Sequence, residues 1–209
     1  MSTKAFVDLG YGAGSREPGA GSREPGSGFG RRVRGSGFNN KQPMHWQLEL
    51  VRTELKAALD GLSPTIAERP ADGRWSVANI VEHLDLTFSK NAAALGRRLA
   101  KSDNTTDHAR TFRQSIARFI VVTIGYFPEG RKSPAMVVPQ GRPYAEIAAD
   151  IEPHLVELDR VMTEGERTLG ATRAVLDHPI LGPMSINDWR KFHLVHTRHH
   201  LKQIRDRRS

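Results

Sequence analysis

Apolar residues recur at steps of three and four along most of this chain, and this spacing restricts its fold more than any other feature. The first stripe consists of Leu48, Val51, Leu55, Leu59 and Leu62. Such a stripe is typical of an amphipathic helix that packs one face against a core. Similar spacing predicts helices over residues 77–101, 109–124, 144–169 and 186–207. Because no segment has the alternation of a strand, we predict an all-α fold of four long helices, or five counting the first.

Two serines have the sequence context of helix N-caps. Ser76 is followed three residues later by Asn79, and Ser185 is followed at the same spacing by Asp188. In a capping box the first side chain accepts a hydrogen bond from the backbone N–H three residues on, and the later side chain bonds back. Helices are therefore predicted to begin directly after both serines.

The positions of proline and glycine indicate where loops connect the predicted helices. Ser63-Pro64 is expected to end the first helix, and Asp103-Asn104 marks a turn. Residues 126–143 contain four prolines and two glycines, which predicts a long irregular loop of the kind that is often functional or mobile. A second loop is predicted over 178–183. Pro153 lies inside the helix predicted over 144–169 and is expected to kink or restart it.

Residues 1–43 differ in composition from the rest of the chain. They are rich in Gly, Ser, Pro and Arg, and the hexapeptide Gly-Ser-Arg-Glu-Pro-Gly occurs at 14–19 and again at 21–26. Such a segment cannot bury enough apolar surface to offset the entropy lost on ordering. We interpret 1–43 as a disordered tail and 44–209 as the helical bundle, with Met44 as a candidate alternative translation start.

The composition excludes several classes of protein. The chain has no cysteine, which excludes disulfides, thiolate ligands and a cysteine nucleophile. No apolar run is long enough for a membrane helix, and the N-terminus lacks the features of a secretory signal, so we expect a cytosolic protein without a membrane partner. The net charge is +8, half of it within residues 1–44. That charge would favour non-specific binding to nucleic acid, but no recognised reading motif accompanies it.

Four of the nine histidines lie in the last predicted helix. At about 100° per residue, one arc of roughly 80° contains five residues of this helix: Trp189, His193, His196, His200 and Ile204. Charged residues occupy the opposite side. Several histidines therefore share the face that carries apolar residues.

The pair His196 and His200 is the best candidate for binding a metal ion. Burying several imidazoles together is costly unless each finds a partner. A divalent metal provides one, because it binds neutral imidazole nitrogens at about 2.0–2.1 Å. Residues at i and i+4 lie one above the other on a helix, whereas His199 leaves the core face. A solvent-exposed histidine cluster is the alternative interpretation.

A metal site needs a further ligand from elsewhere in the chain. His83 lies at the flank of its helix's apolar stripe, beside Ile80 and Thr87. It is either that ligand or a polar residue at the boundary of the apolar stripe. The remaining histidines have no comparable pairing, and we interpret them as structural or solvent-facing: His45, His108, His154 and His178.

Two motifs occur together in this chain. One is Trp75-Ser76-Val77 leading to His83, and the other is His196-x-x-His199-His200-x-x-Gln203-Ile204. As a pair, over roughly residues 45–207, they resemble the DinB-like superfamily of four-helix-bundle metalloproteins. The resemblance implies a metal triad of His83, His196 and His200. The family includes transferases and isomerases that depend on low-molecular-weight thiols, and many members without an assigned activity.

Three histidine ligands would leave a divalent metal, with Zn²⁺ and Ni²⁺ both compatible, at least one open coordination position. A water or a small thiol bound there would have a lowered pKa. His193 is the candidate catalytic residue, as a proton shuttle, or else a core histidine bonded to a carbonyl. Arg131 and Lys132 either bind the carboxylates of a small thiol or are solvated loop residues.

Three functions follow from these observations. The first is a metal-dependent transferase that acts on a small-molecule substrate with a low-molecular-weight thiol. The second is a metal-binding bundle without catalysis, in which the ion adds stability. The third and least favoured is a basic nucleic-acid-associated protein. An exposed face on one of the helices would also allow a homodimer.

Overall fold

The computed structural model describes residues 43–101, 109–127 and 133–208. This part of the chain contains six α-helices in the order α1 (Trp46–Leu59), α2 (Pro64–Ala67), α3 (Val77–Leu99), α4 (Phe112–Arg118), α5 (Tyr144–Leu169) and α6 (Ile186–Arg208). Two strands precede α6: β1 (Ala174–His178) and β2 (Gly182–Ser185). None of the described helices is long and apolar enough to cross a membrane.

The four long helices pack in two main pairs. α3 lies along α5, and α1 lies along α6. The apolar stripe of α3 is buried at Ile80, Leu84 and Phe88, and that of α5 is buried at Ile151 and Leu158. These faces join α1 and α6 in one hydrophobic core, which confirms the predicted all-α helical bundle.

Both predicted capping boxes are present. The Ser76 hydroxyl accepts a hydrogen bond from the Asn79 backbone N–H at 3.2 Å, and the Asn79 side chain accepts one from the Ser76 N–H at 3.2 Å. Ser185 and Asp188 make the same reciprocal pair, each at 3.2 Å. The first turns of α3 and α6 are therefore fixed locally, which sets the positions of all later residues on these helices.

The prediction that the chain contains no strand was wrong, because β1 and β2 form an antiparallel hairpin where the second loop was expected. The strands pair Leu176 with Met184 and His178 with Gly182, with an irregularity between Ala174 and Leu176. The hairpin was missed because β2 is buried at every position and so has no alternation. A proline inside β2, Pro183, also argued against a strand.

Three other boundaries differ from the predictions. Ser63 ends no helix but caps the short α2, its hydroxyl accepting from the Ile66 N–H at 3.3 Å. The third helix begins at Phe112, after the Thr111 cap, and continues as a π-helical segment, Phe119–Ile124. Pro153 does not restart α5, which runs unbroken through it. Pro153 lies on the exposed side of α5, where water can satisfy the carbonyl that a proline leaves without its helical partner.

Several predictions fall outside the described residues. The predicted tail at 1–43, apart from Pro43, is not among the described residues. The same holds for Asp103-Asn104, His108, Arg131 and Lys132. Within the described part of the 126–143 loop, a 3₁₀ turn (Ala135–Val137) packs against α3. This contact brings the loop close to His83.

Candidate metal centre

Three histidine side chains converge between α3 and α6. The Nε2 atom of His196 lies 3.2 Å from Nε2 of His83 and 3.1 Å from Nε2 of His200. The side chains are buried, with exposures of 3%, 5% and 6% for His83, His196 and His200. One ring nitrogen from each lies within 4.8 Å of the others, an arrangement that could hold a metal ion. The structure thus brings together all three predicted ligands.

Two of these rings are oriented by hydrogen bonds on the side away from the cluster. Nδ1 of His83 lies 2.7 Å from the Val137 carbonyl oxygen, which can only accept. Nδ1 of His200 lies 2.9 Å from Oε1 of Gln203. With the ring protons placed on these Nδ1 atoms, both Nε2 lone pairs point at His196. Such outer hydrogen bonds are typical of metal-ligating histidines, since they fix the tautomer and raise ligand basicity.

Burial keeps these rings neutral. Removal from water lowers the pKa of His200 to about 3 and also lowers the pKa of His83. The pKa of His196 is lowered well below its usual value by the same burial, and further by the neighbouring histidines. Neutral imidazole is the form that binds a metal.

The three neutral rings cannot satisfy all of one another's hydrogen-bonding groups. A neutral His196 carries a single ring proton, so it can donate through Nε2 to one neighbour and leaves the other lone pair without a donor. If that proton is on Nδ1 instead, it finds no partner among the described residues, and three lone pairs converge. A cation at the centre removes this repulsion. In a tetrahedral site the ligand nitrogens are roughly 3.3 Å apart, close to the two separations observed here. The donor set therefore fits a divalent metal.

Aromatic rings surround the cluster. Phe192 stacks on His196 with ring centroids 5.1 Å apart, and Phe127 approaches the same ring at 5.1 Å. Trp75, immediately before the α3 cap, lies 5.0 Å from His83. These rings limit access of water, which strengthens electrostatic interactions at the cluster.

A pocket of about 440 Å³ opens onto all three histidines. Its wall is mainly apolar, with contributions from α3, the 3₁₀ turn, the β1–β2 hairpin and α6. Mainly apolar pockets of this size with a few polar groups are typical of small-molecule sites. The cluster therefore lies where a ligand from solvent can reach it.

The structure places His193 and His199 outside the cluster. His193 is fully buried and does not line the pocket, and its Nε2 lies 3.2 Å from the Asn91 amide nitrogen. The catalytic assignment of His193 stays a prediction. His199 lies 5.1 Å from both Phe127 and His200, and its Nε2 lies 3.0 Å from the Gln203 amide.

Of the other predicted structural histidines, three are described. His45 caps α1, and His154 pairs with the buried carboxylate of Asp85 at 2.6 Å. His178 accepts backbone N–H bonds from Ile180 and Leu181 in the hairpin turn and also lines the pocket. Their roles agree with the structural interpretation, with the pocket position of His178 as an addition.

Three contributors to the site were missed from the sequence. The Val137 carbonyl that orients His83 carries no side-chain signal. Glu82 is fully buried beside His83 and accepts backbone N–H bonds from Gln140, Gly141 and Arg142 at 2.8, 2.9 and 3.2 Å, which holds the loop that carries Val137. Asn91 lines the pocket two turns after His83, and helical spacing could have indicated it.

The metal-free protein should lose stability as the pH falls below about 6.5. Burial lowers the pKa of His178 to about 4 and that of His193 to about 3, from a usual 6.5. Below 6.5 the unfolded chain therefore binds protons that the native chain excludes. We expect the free energy of unfolding to drop by about 2 kcal/mol between pH 7 and pH 5.5, measured by urea denaturation with a chelator present. Unchanged stability over this interval would contradict the neutral burial of these rings.

Comparison with known proteins agrees with the histidine motifs. Residues 47–204 match the family profile of the DinB superfamily. No curated protein and no solved structure matches the chain. Because the family match spans most of the sequence and both motifs, the chain belongs to the DinB superfamily.

Proposed function

We propose that this protein binds one divalent metal ion through His83, His196 and His200, and uses it in a transfer reaction of a low-molecular-weight thiol. The observation that carries the proposal is the convergence of three neutral imidazole nitrogens at one end of an apolar pocket. Three neutral protein ligands are typical of catalytic rather than closed structural sites, because they leave a position for a ligand. Zn²⁺ and Ni²⁺ both suit this donor set.

A divalent ion at this site supplies Lewis acidity that lowers the pKa of a thiol within its reach. The chain itself has no cysteine, so the thiol must come from solution. In the transfer, the sulfur–carbon bond forms as the carbon–leaving-group bond breaks, and the thiol proton leaves to solvent. The pocket walls contribute by excluding water and by holding the electrophile near the sulfur.

The test uses purified protein in metal-free and Zn²⁺-loaded forms. We expect about one equivalent of bound metal, and calorimetric binding of a small thiol such as mercaptopropionate only to the loaded form. Consumption of a chlorodinitrobenzene electrophile should be faster with the loaded protein and return to the background rate after chelation. Metal binding without any thiol binding would overturn the transfer reaction, and failure to take up Zn²⁺ or Ni²⁺ would overturn the proposal as a whole.

A metal-binding bundle without catalysis is the second candidate. It is favoured by the way the cluster joins α3 to α6, since His83 and His196 are 113 residues apart. An ion at this place would cross-link the two helices and stabilise the native state by mass action. In that case chelation would lower the melting temperature while thiols had no effect.

We further propose that the protein is cytosolic and that its partners are small molecules. A homodimer is the candidate assembly.

A further inference from the structure

One face of α3 forms a continuous wall of the pocket beyond the histidines. Starting from His83, this face carries Thr87, Lys90, Ala94 and Arg97, all of which line the pocket. With a rise of about 1.5 Å per residue, Lys90 lies about 10 Å along the helix from His83, and Arg97 lies about 20 Å away. The pocket is therefore elongated along α3, with histidines at one end and cations toward the other.

Lys90 and Arg97 are exposed at the pocket wall. Neither forms an ion pair with another residue in the part of the chain that the structure describes, unlike Arg198, which is paired with Glu54. Among the described residues that line the pocket, Asp177 carries the carboxylate, and this residue already interacts with another group. Among the described residues, two cations thus lie at a largely apolar wall without a carboxylate partner.

Asn91, next to Lys90, is held by a buried group. Nε2 of His193 lies 3.2 Å from the Asn91 amide nitrogen. His193 Nδ1 has no partner among the described residues, so the single proton of a neutral ring is better placed on Nε2, from which it is donated to the oxygen of the Asn91 amide. In this assignment the Asn91 NH₂ group is not used by His193 and can donate to a ligand, and Asn91 lines the pocket. Hydrogen bonds of this kind, from a buried residue to a polar side chain at a pocket, hold that side chain in position for a ligand.

From these contacts we infer that the pocket binds an elongated ligand with an acidic group that pairs with Lys90 and Asn91, about 10 Å along α3 from the histidine cluster. The rest of the ligand is apolar, because the pocket wall as a whole is mainly apolar. The inference deepens the proposed function and rests on it for the end that meets the metal. Arg97 continues the cationic wall for ligands with a second acidic group.

The test compares probes that differ in charge and length. ω-Mercaptooctanoate spans on the order of 10 Å, the distance that separates Lys90 from His83 along the helix. Calorimetry with Zn²⁺-loaded protein should show it binding about tenfold more tightly than ω-mercaptooctanol, a difference of about 1.4 kcal/mol. Lys90→Met should remove most of this preference, and Asn91→Leu part of it. The matched control is Lys56→Met on the exposed side of α1, which should leave the preference unchanged.

The outcomes separate this inference from the proposed function. Equal affinity for the acid and the alcohol in the native protein, or a preference that survives Lys90→Met, overturns the acidic subsite whatever the metal does. Octanoate and octanol, which lack the thiol, are compared on metal-free protein. A carboxylate preference there, with no gain from the thiol on adding Zn²⁺, supports the subsite and counts against the transfer reaction.

Discussion

The His196→Ala variant is expected to lose stoichiometric metal while remaining folded. His196 is the central member of the cluster, since its Nε2 makes both of the short contacts, to His83 and to His200. Binding of Zn²⁺ in a full ligand set is worth roughly 10–16 kcal/mol, so removing one ligand should weaken affinity on the order of 100-fold or more. Metal content by mass spectrometry, followed by competition with a chelator of known affinity, measures the loss.

His83→Ala and His200→Ala should give losses of similar size. The matched control is His199→Ala, which removes a neighbouring imidazole on α6 that lies outside the triad. This variant should keep about one equivalent of metal. Retention of metal by His196→Ala, or equal losses from His199→Ala and the triad variants, would show that the ion is held elsewhere.

The second large effect is expected for Glu82→Gln. The Glu82 carboxylate is fully buried and accepts three backbone N–H bonds from residues 140–142. An amide in its place turns an NH₂ group toward these donors. Since each hydrogen bond to a charged group contributes about 1.5–3 kcal/mol, we expect a loss of at least about 3 kcal/mol. In a domain of this size that corresponds to a melting temperature lower by about 6–12 °C.

Metal affinity should also fall in Glu82→Gln, by about tenfold, because the loop carries the Val137 carbonyl that orients His83. The control is Glu54→Gln, which breaks an exposed pair with Arg198 and should cost at most about 1 kcal/mol. Similar melting temperatures for the two variants would mean that the loop does not depend on its buried anchor.

Much of the helical architecture could be predicted because it depends on local rules. The bounds of α5, Tyr144–Leu169, and the starts of α3 and α6 follow from apolar spacing and from the Ser76 and Ser185 caps. The β1–β2 hairpin could not be predicted in this way. β2 is buried at every position and β1 only at Val175, so neither strand has the regular alternation that predicts one, and burial of β2 is a tertiary effect.

The candidate metal site also combines local features, which the sequence reveals, with tertiary features, which it does not. His196 and His200 are one helical turn apart, so their pairing is a local property that spacing reveals. His83 was assigned to the triad through the family resemblance, and its position beside His196 comes from the packing of α3 and α6. The Val137 carbonyl and the Glu82 anchor depend on where a breaker-rich loop crosses α3. Such a crossing leaves no periodic pattern of side chains in the sequence.

The order in which the site is assembled follows from where its ligands lie in the chain. His196 and His200 come together as soon as one turn of helix forms, which takes on the order of a microsecond or less. His83 joins them only when a segment of 113 residues has closed, a step with a substantial entropic cost. An ion that met the chain early would therefore find only two of the three proposed ligands, a chelate of low affinity. If the triad binds an ion as proposed, tight binding requires the docking of α3 on α6, so metal uptake would follow folding and would not direct it.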